Sequence, residues 1–165
     1  MKKLFFTLAV SAIAWCASAQ SLFVTGTGSF ENSTTYDVKT TNFMLEIGKE
    51  FNDVFAVSIG GGMQSIHYDG MDAINVGLAG ANLRVTPWNN EKFFVDLNWE
   101  NLWAFNDDDS NWTTAVSPCL RYRINDHFDI STNVATFGWI NNDGDSECVS
   151  RLNFIPTAFT LYYRF

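Results

Sequence analysis

Residues 93–105 read FFVDLNWENLWAF. Phe93, Val95, Leu97, Trp99 and Trp103 share one set of alternate positions, while Asp96, Asn98 and Glu100 occupy the other. Side chains on a strand point alternately to its two faces, so this stretch reads as a strand with one apolar and one polar side. It is also long. Ordinary globular strands run ~5–6 residues, whereas tilted strands that cross a bilayer need at least ~9–11.

Seven more segments share the character of 93–105: 22–31, 40–49, 54–65, 73–85, 113–124, 128–140 and 152–165. In 40–49, Phe43, Leu45 and Ile47 oppose Asn42 and Glu46. In 113–124, Val116, Pro118, Leu120, Tyr122 and Ile124 oppose Ser117, Arg121 and Arg123. In 128–140, Phe128, Ile130 and Val134 oppose Asp129, Ser131 and Asn133. The chain closes on FTLYYRF, with Phe159, Leu161, Tyr163 and Phe165 on one face and Tyr162 and Arg164 on the other. Segment 73–85 breaks the rhythm, because Ile74, Val76 and Leu78 fall on one face and Leu83 and Val85 on the other. Gly77 and Gly80 suggest a bulge that resets the phase there, and Gly60-Gly61-Gly62 a similar bend in 54–65.

Alternation alone fits two inverse solutions, a soluble barrel or sandwich with its apolar face inward and a membrane barrel with that face on lipid. The connections distinguish them. FND, TPWNNEK and NDH are tight; ENSTTYDV, HYDGMD, NDDDSN and NNDGDSECVS are longer and more polar. Short turns at one end and long loops at the other are the habit of outer-membrane barrels. Aromatics gather at both ends of the strands, with Phe51, Phe55, Trp88, Phe93, Tyr122, Phe128 and Phe165 on the short-turn side. Phe30, Tyr68, Trp103, Phe105, Trp112 and Trp139 lie on the other side. Two such belts suit two membrane interfaces. The expected fold is an all-β, eight-stranded antiparallel up-and-down transmembrane barrel over residues 20–165.

The first 19 residues read as a cleaved secretory leader: Lys2 and Lys3, an apolar run from Leu4, and Ala17-Ser18-Ala19 before Gln20. Trp15 spoils the small-residue setting that would make Cys16 a lipoprotein site. Without Lys2 and Lys3, 8 basic residues remain against 18 acidic ones. So acidic a surface excludes nucleic acid as a partner.

On these features the mature chain resembles the small eight-stranded outer-membrane barrels of Gram-negative bacteria, the OmpA transmembrane domain and OmpX types of porin-like protein. The resemblance rests on the leader, the strand count, the turn-and-loop alternation and the terminal Tyr163-Arg164-Phe165. It implies a monomer in the cell outer membrane, in contact with lipid and lipopolysaccharide. It also implies recognition of the last strand by the barrel assembly machinery, although Thr160 stands where that signal commonly has Gly.

Function is expected to be non-enzymatic, a structural or surface-interaction role carried by acidic outer loops. The rivals are a lipid-modifying enzyme of the lipid A deacylase or acyltransferase type, and a minimal pore. No catalytic, cofactor-binding or metal-binding residue is assigned. Ser65, His67 and Asp69 share one face of a strand, but same-face neighbours stand ~7 Å apart, beyond direct proton transfer. His127 reads as a solvated turn histidine. The acidic clusters Asp107-Asp108-Asp109 and Asp143, Asp145, Glu147 lack a twelve-residue calcium-loop pattern and read as solvated loop tips. Glu46, Asp96, Glu100, Arg121, Arg123, Asp129 and Arg164 are expected to fill the lumen, with Arg121 and Arg123 meeting Asp96, Glu100 and Asp129. Cys119 and Cys148 lie roughly 28 Å apart in height, too far for a disulfide.

Overall fold

The computed structural model describes residues 22–33, 38–105, 110–142, 145–152 and 158–165. All regular structure among them is strand. In chain order the strands are β1 (Leu22–Ser33), β2 (Val38–Glu50), β3 (Phe55–Tyr68), β4 (Ile74–Asn89) and β5 (Phe93–Phe105). They continue as β6 (Ser110–Arg123), β7 (Phe128–Asn133), β8 (Ala135–Asn142), β9 (Asp145–Leu152) and β10 (Ala158–Arg164). From β1 to β6 each strand pairs antiparallel with the next. β7 pairs with the short-turn half of β6 and β8 with its loop-side half. β10 pairs with β7 on one edge and with β1 on the other, from Phe23↔Arg164 to Ser29↔Ala158. The result is a closed, eight-staved, up-and-down antiparallel barrel in which β7 and β8 together make the seventh stave. Closure removes the free sheet edges that an open sheet would present.

The seventh stave is divided because two residues of β6, Ser117 and Pro118, face three of its neighbour, Val134 to Thr136. Pro118 has no N–H to give the ladder, and its carbonyl accepts instead from Val134 N at 2.9 Å. A proline inside a sheet belongs at such a bulge. The last stave begins earlier than its hydrophobicity suggests. Residues 145–150, read from sequence as the end of a long loop, belong to β9, which pairs with β8.

The bulge expected near Gly77 and Gly80 is not there. β3 and β4 keep one register from Phe55↔Val85 to Ile66↔Ile74, and the irregularity with β5 lies between Val85 and Trp88, at Pro87. β4 therefore holds a single phase, with Leu78, Arg84 and Thr86 buried in the lumen. The mixed pattern arises because the loop-side half of the lumen accepts apolar side chains. The glycines of β3 do not break its ladders either. A Cβ at Gly60 would run into the Leu45 carbonyl and one at Gly62 into that of Phe43, so these positions permit a close approach of β2 to β3.

The three short turns share one device. Asn52 Oδ1 accepts from Val54 N and Phe55 N, both at 2.8 Å. Asn90 Oδ1 accepts from Lys92 N and Phe93 N, and Asn125 Oδ1 from His127 N and Phe128 N. Each asparagine thus replaces backbone partners within the turn, and the phenylalanine three residues on starts the next strand pointing outward. Replacing Asn90 with Ala leaves two N–H groups without their acceptor. Urea unfolding should show a loss of about 1–2 kcal/mol, while Asn89→Ala, one position away, should change stability by less than about 0.5 kcal/mol.

Candidate functional site

The inside and outside of the barrel are the inverse of a soluble protein. Asp96 and Asp129 are 0% exposed and Arg121 3%, whereas Trp99 is 51%, Leu120 54% and Leu161 54% exposed. The candidate site is therefore the lumen, and strand parity decides who enters it.

The short-turn half of the lumen is filled by a layer of paired ions. Arg121 Nε donates to Asp96 Oδ2 at 2.6 Å and its Nη1 to Asp129 Oδ2 at 2.7 Å. Thr86 Oγ1 gives Asp96 a further donor at 2.6 Å. Arg164 pairs with Asp129 and, at 3.4 Å, with Glu50, which also pairs with Arg84. Arg123 Nε stands 3.7 Å from Asp129 Oδ1. Aromatic rings interleave with these charges. Arg121 and Arg123 lie 4.2 and 4.6 Å from the Phe94 ring centre, and Arg84 lies 5.1 Å from that of Phe23 and 5.3 Å from that of Tyr162. Desolvated guanidinium groups over aromatic faces gain cation–π attraction, which offsets part of their burial cost.

A cavity of about 180 Å³ lies on the loop side of this layer, with Glu46, Glu100, Met44, Leu78 and Leu102 in its wall. A second, of about 360 Å³, lies on the short-turn side against Arg84, Arg121 and Arg123.

Of the expected network, Arg121, Arg123, Asp96 and Asp129 come together. Glu100 does not join them. Arg121 pairs in register with Phe94, six residues below Glu100 on β5, or roughly 20 Å along the strand. No arginine side chain spans that interval. Arg84 and Glu50 are members the sequence reading missed. Arg84 was hidden by the supposed phase change in β4, and Glu50 by its place at the end of β2.

The remaining candidates stay apart. Ser65 and His67 lie toward the loop end of β3 and Asp69 in the exposed turn beyond it, and no hydrogen bond joins the three. His127 sits in its turn with Nδ1 3.1 Å from the Arg164 carbonyl and its ring 6.0 Å from Tyr163, so it steadies the last strand as well as meeting solvent. Cys119 is buried in the lumen, Cys148 is exposed on β9, and both are free thiols. Asp107, Asp108, Asp109 and Asp143 lie outside the described residues. Among the described residues no group of three or more His, Cys, Asp or Glu is placed to hold a metal ion. The sequence matches no protein-family model and no curated protein.

Arg121 is the member whose loss leaves two buried carboxylates short of a partner. Arg121→Met should cost about 3–5 kcal/mol in urea unfolding. The half-exposed Arg123→Met should cost under about 1 kcal/mol. Adding Asp96→Asn to Arg121→Met should recover part of the loss, because one uncompensated charge is then gone.

Proposed function

We propose that this protein is an integral outer-membrane β-barrel of the small eight-stranded, OmpA/OmpX-like kind, with a structural or surface-interaction role and no enzymatic activity of its own. The observation that carries the reading is the wall. Phe43, Leu45, Ile47, Ile59, Leu97, Leu120 and Leu161 are all exposed around the barrel, in a band interrupted by few charges. In water such a surface would far exceed the apolar patch a monomer tolerates. In hydrocarbon it is the favourable solvent contact, and a closed barrel is one of the two backbone arrangements that satisfy every N–H and C=O there.

The rims support the same placement. Phe51, Phe55, Trp88, Phe93 and Phe128 ring the short-turn end, and Trp103, Phe105, Trp112 and Trp139 the loop side. Aromatic girdles at these heights suit headgroup boundaries. On this reading residues 1–19 are an export leader and the acidic loops face outward. Lipid and lipopolysaccharide are then the immediate neighbours, and β10 is the strand presented to the assembly machinery. Phe159, Leu161, Tyr163 and Phe165 would face lipid, with Tyr163 within 5.1 Å of both Phe128 and Phe165, ring centre to ring centre.

Membrane fractionation with a gel shift tests the proposal. The protein should sediment with outer membranes and migrate differently when unboiled. Recovery in the aqueous fraction with a single gel mobility would overturn it. Deleting the gene should leave lipid A acylation unchanged; a change that the His67→Ala form fails to restore would favour an enzyme instead.

A further inference from the structure

The loop-side cavity has a composition that membrane insertion does not require. Glu100 lies in its wall, and its carboxylate makes no hydrogen bond or ion pair among the described residues. Glu46 is differently held. Its Oε2 accepts from Thr25 Oγ1 at 3.0 Å and from Ser58 Oγ at 3.2 Å, which orients the carboxylate and leaves Oε1 available to the cavity. No Lys, Arg or His lines this space. The nearby guanidinium groups are committed to the ion layer on the short-turn side. Glu46 and Glu100 thus share a hollow lined by no Lys, Arg or His, and a carboxylate drawn out of bulk water without a counter-charge is costly.

The hollow is made by the strand register. Glu46, Gly60, Gly80 and Leu102 are successive partners across β2, β3, β4 and β5, so the row between the acid and the leucine has two positions without side chains. Glu100 belongs to the neighbouring inward row on β5. The rest of the wall combines polar side chains, Thr27, Asn42 and Gln64 among them, with the apolar Met44, Leu78 and Leu102. The amide and hydroxyl oxygens of the wall offer ligands to a hard divalent ion as well, so calcium is the competing guest. Carboxylates beside a short apolar surface match an alkylammonium group, charge to charge and methylene to methylene. The volume is below the ~300–1,000 Å³ of drug-sized pockets, which restricts the guest to a few heavy atoms.

We propose that this cavity binds a small aliphatic amine cation, its ammonium groups on Glu100 and Glu46 and its methylenes against Met44, Leu78 and Leu102. The arginine layer bounds the site on the short-turn side and repels a cation there, so the cavity is a terminus for the amine and not a segment of a passage.

Isothermal titration of the refolded protein in detergent with 1,4-diaminobutane tests this. Saturable binding is expected, weakened at least tenfold in Glu100→Gln and unchanged in Glu147→Gln, an exposed acid on β9. Glu46→Gln, which retains an acceptor for Thr25 and Ser58, should weaken binding similarly and serves as the second variant if Glu100→Gln fails to refold. The uncharged 1,4-butanediol should give no saturable heat. The proposal is overturned if wild type does not bind the diamine, if butanediol binds equally well, if neither glutamine variant weakens binding, or if calcium chloride binds and the diamine does not.

Discussion

Arg121 reaches from β6 to Asp96 on β5 and Asp129 on β7, and so ties three adjacent staves together from the inside. The rest of the structure depends on this interaction because the polar faces of eight amphipathic strands have been turned toward one another. Without mutual compensation the charges there would favour an opened barrel that admits water. With it, the lumen is solid at this level: Asp96, Asp129 and Ser117 are fully buried. Arg164 extends the same network to the end of β10, so the ion layer and the closing seam are one construction. The strand that completes the circle is held by its ladders, by its arginine inside and by Tyr163 outside.

Much of this was legible in the sequence because strand parity is so strict a code. The alternation in 93–105 places Asp96, Asn98 and Glu100 inward and Leu97, Trp99 and Trp103 outward, as the structure has them. The register was not legible. Asp96 and Glu100 look equivalent along the chain, yet one lies beside Arg121 and the other well above it, because partner height depends on how neighbouring strands are offset. β4 misled for another reason. Leu78 is apolar yet buried in the lumen, in the wall of the loop-side cavity, a place where polarity does not report direction. The repeated asparagine at the short turns was visible all along as Asn52, Asn90 and Asn125, each three residues before a phenylalanine. Its meaning required the hydrogen bonds to be seen.

The two ends of the barrel are built on different principles. The short-turn end is locked by asparagine-capped turns, ion pairs and an aromatic rim. Toward the loops, glycines in β3 and β4 thin the wall around the smaller cavity, and Glu100 stands there outside the ion layer.

The central claim is that the exposed Phe, Leu, Ile and Trp side chains have lipid as their solvent. Tryptophan emission from the protein reconstituted into vesicles of brominated phospholipid tests it most directly, since Trp99, Trp103, Trp112 and Trp139 all point outward. Strong quenching by the brominated acyl chains, with little quenching by aqueous acrylamide, is the predicted result. Efficient acrylamide quenching with no effect of bromine would contradict it.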